Sequence, residues 1–464
     1  MNNKVYVIGG GTVNPIANHL QLCAFAKGGT AIRLFKMFTK TDLYPHLILS
    51  DMCDTFAPLL QHLPKKDDDD SVFKTNEDLK RIIEDCKKDP QTRIIVLTAA
   101  VCDFVVEDGS DSKPRPDTSQ PYTLTLKPAD KIVEGIRDKD HKHIFLVAFK
   151  NTVNATPQEM FEAGLGLCKK ASANLVFVND TVTMRNMIVT PEEATYADGW
   201  ERNDALQELV DRSVLRSHLR FTRSTVISGE AVNWNSDLVP DSLRTIVNHC
   251  IKNKAYKVFN GATVGHFACK VNDTTFLTSI RRSNFNDLEK VGLVKVITDG
   301  PDSVMAYGFK PSVGGQSQRI IFNTHKEMDC ILHFHCPLKN NHPDAIESRS
   351  QREVECGSHQ CGQNTCDGLK KFGNLKAVYL HKHGPNIVFN RNIDPQEVID
   401  FIERNFDLSE KTGGYNLEDR KMQGLKKGGF FKKGTLDIIG RECNTGKSSF
   451  KKESFKPCSE HYIG

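Results

Sequence analysis

No apolar stretch in this 464-residue chain approaches the roughly 18–20 residues that a membrane helix requires, so no bilayer span is expected. The opening MNNKVYVIGGGT lacks the charged, apolar and small-residue zones of a signal peptide, which removes secretion as an expectation. Nor does the placing of the fourteen cysteines make a disulfide framework. They are scattered, and Cys23, Cys102 and Cys330 fall inside apolar runs where a thiol packs as a small hydrophobe. Free thiols in a reducing, cytoplasmic compartment are the expectation. A broad basic face is missing as well. The net charge of +4 conceals a surplus of +6 from Lys411 onward, twelve Lys/Arg against six Asp/Glu, which leaves the preceding residues at −2. Nucleic acid is therefore not an expected partner.

What is present suffices for globular cores: 39% apolar residues, 26% charged, and a mean hydropathy of −0.42. A chain this long exceeds a single core, so two domains plus extensions are expected. Up to about residue 195, short apolar runs rich in β-branched residues (5–8, 31–35, 94–98, 145–149, 175–178) alternate with periodic charged stretches such as 76–88 and 157–170. Buried parallel strands with crossover helices read this way, so the class is α/β. The KKDDDD insert at 65–71 and the proline-bearing segment 111–120 read as loops, and 199–217 reads as a charged connecting helix. A second pattern follows, with helices at 242–252 and 395–405 and strands at 263–270, 275–280, 294–298, 330–335 and 377–380. Beyond residue 411 the Gly-, Lys-, Ser- and Phe-rich sequence has no sustained periodicity. It predicts a flexible basic tail with a short docked segment at 435–439. The expected organisation is thus 1–196, a connector 197–237, 238–410, and the tail 411–464.

CILHFHCP is the most informative octapeptide. On a strand, residues i and i+2 share a face, so His333 and His335 project together while Phe334 points away. Two imidazoles placed this way are half of a zinc site, and zinc takes three protein ligands when it keeps an open position. His383, before Gly384 in YLHKHGPNIVF, is the third candidate. A His-x-His on a strand also serves as hydrogen-bonded core or surface histidine, so spacing alone leaves both readings open. Cys356, Cys361 and Cys366 with His359 form a weaker cluster whose five-residue spacing does not match C-x2-C pairs.

At these residues the second half resembles the class II aldolase/adducin family. Lys310-Pro311-Ser312, a helix-like 318–326, His333-Phe334-His335 and then His383-Gly384 stand in the family's order, and the resemblance spans roughly 238–405. It implies an aldolase-like α/β/α domain that binds a divalent metal, zinc foremost, through His333, His335 and His383. It also implies a phosphorylated sugar or aldehyde as substrate, held in part by Thr278 and Ser312. The family's phosphate-binding Asn and Ser fall at His266 and Ala268, and its catalytic glutamate falls at Gly314. A sister branch, the methylthioribulose-phosphate dehydratases, carries its glutamate in a Thr-His-Gln-Glu stretch, which here ends in Cys361. Glu353, Glu355 and Cys361 are the available substitutes, with Glu355 preferred as the catalytic carboxylate. A solvated carboxylate near the site is the plainer alternative.

The glycine-rich turn in VIGGGTVNPIANHL directly follows a strand, where backbone amides suit phosphate groups, although such turns often serve geometry alone. Gly10-Gly11-Thr12-Val13-Asn14-Pro15-Ile16, Ala99-Ala100-Val101-Cys102-Asp103-Phe104, LTLKPADKIV and Val178-Asn179-Asp180 together resemble phosphopantothenate–cysteine ligase over about residues 3–195. That resemblance implies a Rossmann-like domain binding CTP or ATP and phosphopantothenate. Gly10, Gly11, Thr12, Asp103, Lys113, Asn179 and Asp180 would lie at the nucleotide. The family's catalytic asparagine falls at Ala24. Turn capping at strand ends competes for Asp103 and Asn179.

Three functions stay open. The chain is an aldolase-like lyase with a nucleotide-binding partner domain, a phosphopantothenate–cysteine ligase with an accessory domain, or a scaffold reusing both folds. Both resemblances imply homo-oligomers.

Overall fold

The computed structural model describes residues 3–17, 20–56, 72–107, 119, 121, 123–138, 140–300, 303–312 and 315–413. Lys113, Gly314, the insert 65–71, most of 111–120 and the tail beyond Gly413, with its segment 435–439, lie outside the described residues. Contacts divide the chain into two compact units. Met1–Ile188 and Tyr196–Ser213 belong to the first, Val189–Thr195 and Val214–Asn416 to the second.

The first unit is built outward from the strand Lys4–Gly9. Tyr44–Ser50 runs parallel to it on one side and Thr92–Leu97 on the other. Phe145–Thr152 and Leu175–Asp180 extend the sheet in the same sense. Val5, Val7, Ile94, Leu146 and Val176 are wholly buried, as expected of strands covered on both faces. The helices Gly29–Phe38, Asn76–Lys88 and Pro157–Ala171 connect these strands. The last two start at capping boxes, Thr75 with Asp78 and Thr156 with Glu159, where side chain and backbone satisfy each other's orphan donors.

One expected strand is overturned. Residues 31–35 lie within the helix Gly29–Phe38, whose buried Ala31, Ile32, Leu34, Phe35 and Phe38 follow helical spacing. The strand in this stretch is Tyr44–Ser50, whose Pro45 and His46 break up its apolar pattern. The connecting helix is Arg202–Arg216. It is less of a solvated connector than its charges predict, since Ala205, Leu206, Leu209, Val210, Arg212 and Arg216 are all buried.

The second unit holds a largely antiparallel sheet. Its central run is Leu293–Thr298, Thr275–Ser279, His266–Lys270, Cys330–His333, Gly384–Phe389 and Leu375–Leu380. Side chains alternate between two cores. Phe267, Leu332 and Ile387 join one cluster with Leu243, Val247 and Phe401 from the helices Asp241–Lys252 and Pro395–Asn405. Ala268, Ile331 and Val388 join another with Ile320, Ile321 and Cys366 from Gly315–Thr324 and His359–Gly368. Period-two alternation thus produces an α/β/α sandwich. The strand stops at His333 rather than 335, and His335 sits just past its end.

Candidate metal centre and nucleotide-binding unit

His333 shares strand parity with Ile331 and pairs across the sheet with His266, so both imidazoles emerge on one face. Phe334 turns to the opposite core, edge-on to Tyr256 and Phe406. His383 arrives from the turn before Gly384–Phe389. The rings of His333, His335 and His383 have centroids 4.6–5.0 Å apart, and one ligand atom from each lies within 4.8 Å of the others. All three residues are buried.

Gly384 makes this approach possible. Its φ is +131°, and a Cβ there would overlap the Phe334 carbonyl oxygen. Gly265, at φ +111°, does the same for the neighbouring strand against the His333 carbonyl. Thr412 staples the two histidine-bearing segments, its N–H donating to His335 O at 3.0 Å and its hydroxyl to His383 O at 2.7 Å.

The electrostatics suit a cation. His333 Nδ1 donates to Pro385 O at 2.7 Å, which leaves Nε2 as a bare lone pair, buried and without a hydrogen-bond partner. His383 Nδ1 is likewise buried without one. Burial first, then the neighbouring imidazoles, holds the pKa of His333 and His383 well below the ordinary histidine range, so both rings are neutral as metal ligation requires.

A fourth imidazole, His266, has its ring centroid 4.8 Å from that of His333. Gln318 Nε2 donates to His266 Nδ1 at 2.8 Å, so the neutral ring carries its proton on Nε2. Burial brings the pKa of His266 down to about 3. Among the described residues the trio is the one grouping of potential metal ligands, and Cys356, Cys361 and Cys366 with His359 do not make another. Burial pushes the Cys361 thiol up to about 12, far from a working base.

Other expected residues fare variously. Thr278 is buried with its hydroxyl committed to Phe267 O at 3.1 Å. Its neighbour Ser279 has a buried hydroxyl with no hydrogen-bond partner, and the Ser279 carbonyl accepts from the N–H of Ser312. Glu355 is buried in the loop before the helix His359–Gly368. A carboxylate stands beside the imidazoles at Glu193, with Oε2 3.7 Å from His335 Nδ1. No local pattern in the sequence announces it.

In the first unit the glycine turn is packed rather than open. A Cβ at Gly10 would meet Ser50 and Cys53, and one at Gly11 would overlap Ala24 O. Thr12 Oγ1 accepts the Cys102 N–H at 2.9 Å. Asp103 is exposed and paired with Lys131 at 2.5 Å. Asn179 is buried, and Asp180 accepts from Thr152, Ala155, Val182 and Thr183 as a loop hub. Burial opposes its charge, but these donors hold its carboxyl well below the usual range.

Residues 68–212 match the family profile of the DNA/pantothenate metabolism flavoprotein C-terminal domain. The first unit is similar to that domain. A curated relative is the coenzyme A biosynthesis bifunctional protein CoaBC of Thermococcus kodakarensis, 31% identical over 105 residues, which are 23% of this chain and 25% of that protein. The chain therefore spans about a quarter of that relative's length. Among solved structures, the DNA/pantothenate metabolism flavoprotein from Streptococcus pneumoniae aligns at 16% identity and a TM-score of 0.37, covering 46% of this chain and 98% of that one. An L-fuculose 1-phosphate aldolase aligns at 12% identity and a TM-score of 0.26, covering 44% and 97%. In the flavoprotein-like unit the parallel strands bring the Gly10–Thr12 turn, Asp103 and the Asn179-Asp180 pair to their carboxyl ends, where open α/β sheets bind ligands. No helix among the described residues is long and apolar enough to cross a membrane.

Proposed function

We propose that His333, His335 and His383 hold a divalent metal, zinc foremost, in a lyase or aldolase-type site for a phosphorylated sugar or aldehyde. In the same reading the flavoprotein-like unit binds CTP or ATP, or phosphopantothenate. The supporting observation is the buried, unpartnered Nε2 of His333 within three converging imidazoles, of which those of His333 and His383 are held neutral. A bare buried lone pair is costly unless something occupies it. A metal bound there supplies polarisation of a carbonyl and stabilisation of the negative charge left by carbon–carbon cleavage or proton loss. The chain's own residues orient and donate. Pro385 O fixes the His333 ring, and His266 offers an Nε2–H beside it. Ser279, with Ser312, offers the phosphate subsite, whereas the Thr278 hydroxyl is already committed to Phe267 O. Glu355 is the carboxylate assigned to proton transfer.

Elemental analysis of the purified protein tests this reading. About one zinc, manganese or iron per chain is expected, lost on His333→Ala, His335→Ala or His383→Ala. A protein without stoichiometric metal sinks it.

The match over residues 68–212 favours a second reading, a phosphopantothenate–cysteine ligase with an accessory second unit. CTP-dependent coupling of phosphopantothenate to cysteine is its assay. Complete inactivity removes it, and Ala24 at the place of the asparagine leads us to expect slow coupling at best.

A further inference from the structure

We propose that Glu193 is the outer carboxylate of the metal centre, a positioning residue that makes His335 carry its proton on Nδ1 and present Nε2 to the ion. The inference rests on the reading of His333, His335 and His383 as metal ligands. It assigns a role to a segment, Val189–Thr195, that sequence organisation placed in the nucleotide-binding domain but that packs with the second unit.

Glu193 is 2% exposed, and its Oε2 stands 3.7 Å from His335 Nδ1. That is a charge contact rather than a formed hydrogen bond. In a buried site a carboxylate at this distance still favours the proton on the nitrogen that faces it. The same tautomer is already imposed on His333, where a backbone carbonyl takes the part of the carboxylate. Outer groups of this kind orient a ligating imidazole and raise its basicity. Glu193 does not belong to the group of potential ligands itself, which is confined to the three imidazoles among the described residues.

The turn that presents Glu193 is built at some cost. Its φ is +68°, a left-handed conformation that costs a non-glycine residue on the order of 1–3 kcal/mol. Several contacts impose it. Glu193 N–H donates to Thr190 O, and Ala194 N–H donates to Thr190 Oγ1. Next door, Glu192 pairs with Arg216 at 2.5 Å with both side chains fully buried, and Arg216 also donates to the carbonyls of Gln351 and Arg352. Gly413 gives the turn its clearance, because a Cβ there would overlap Glu193 O. Strain that surrounding structure over-determines is characteristic of functional positions. Lys411 shares the Glu193 Oε2 at 2.8 Å and tempers its charge.

The test is Co(II) affinity by chelator competition on the full chain, with visible absorption of the bound Co(II), for wild type, Glu193→Gln, Glu193→Asp and Lys411→Ala. Glutamine keeps the shape and removes the charge. We expect Glu193→Gln to weaken Co(II) by about 10–100-fold and shift its visible bands. Glu193→Asp should recover part of the loss, and Lys411→Ala should tighten binding several-fold. In the zinc form, the downfield Nδ1–H proton resonance of His335 should move upfield in Glu193→Gln. Wild-type affinity and spectrum in a folded Glu193→Gln protein overturn this inference and leave the metal reading standing. A wild type that takes up no Co(II) overturns both. If Glu193→Gln does not fold, Lys411→Ala decides, and unchanged affinity there overturns the proposal.

Discussion

Gly384 lies so close to Phe334 that a β-carbon on the glycine would overlap the phenylalanine's carbonyl oxygen. The contact brings the His383 turn onto the His333–His335 segment, and it explains why a glycine follows this histidine. Gly384→Ala adds a methyl with nowhere to go at φ +131°. The expected cost is about 2–4 kcal/mol, from left-handed strain plus overpacking. Metal content should fall with it. Urea unfolding and elemental analysis read both, and an alanine variant with wild-type stability and metal would contradict the close-approach account.

Thr412 ties the same two segments from the other side. Thr412→Val keeps the volume but removes the hydroxyl that donates to His383 O, leaving a buried carbonyl unsatisfied. A loss of about 1–2 kcal/mol is expected. The N–H bond to His335 O survives the change, so metal affinity should drop less than in any histidine variant. Thermal unfolding with and without added zinc separates the two effects.

These two residues mark where sequence reading works and where it stops. His333 and His335 are visible because strand alternation is a local rule, and His383-Gly384 because the pair stands in the order of the family resemblance, whereas the close approach that demands glycine at 384 emerges only in the fold. Thr412 reaches the backbone of the histidine segments, and Glu193 the His335 ring, through loops distant in the chain, and no periodicity encodes such packing. Arg212 and Arg216 read as solvated charges on a connecting helix, yet both are buried, the first stacked 3.5 Å over Tyr196 and the second paired with Glu192. Composition fixes how many charges a helix carries, not which of them find partners inside. The misread run 31–35 has a similar cause, since five apolar residues fit a strand or one face of a helix equally well.

Asp89 gives the first unit a defined acid response. Burial works against its charge, but the Lys4 ammonium, the Gln91 N–H and the Tyr6 hydroxyl outweigh it and lower its pKa to about 2. The unfolded chain binds this proton near pH 3.8 and the folded chain only near 2, so the stabilisation is complete above the higher value. It is lost as pH falls through the window between them. At neutral pH Asp89→Asn should cost about 1–2 kcal/mol, after allowance for its partial exposure. Denaturant midpoints measured from pH 2 to 7 should converge for the two proteins at the acid end. Parallel curves across that range would refute the assignment.

The Glu192–Arg216 pair sets how firmly the turn carrying Glu193 is held. Both side chains are fully buried, so removing one partner strands a charge away from water, at an expected 3–5 kcal/mol. Glu192→Gln should therefore destabilise the second unit strongly and weaken Co(II) binding only indirectly, with the visible bands of bound Co(II) unchanged. Replacing both partners, as in Glu192→Gln with Arg216→Met, removes the stranded charge and should recover much of the stability. The double variant loses the anchor yet keeps the Glu193 carboxylate. If its Co(II) affinity stays near wild type, hydrogen bonds at Thr190 and the clearance at Gly413 suffice to aim Glu193. If affinity falls as far as in Glu193→Gln, the ion pair is what aims the carboxylate at His335.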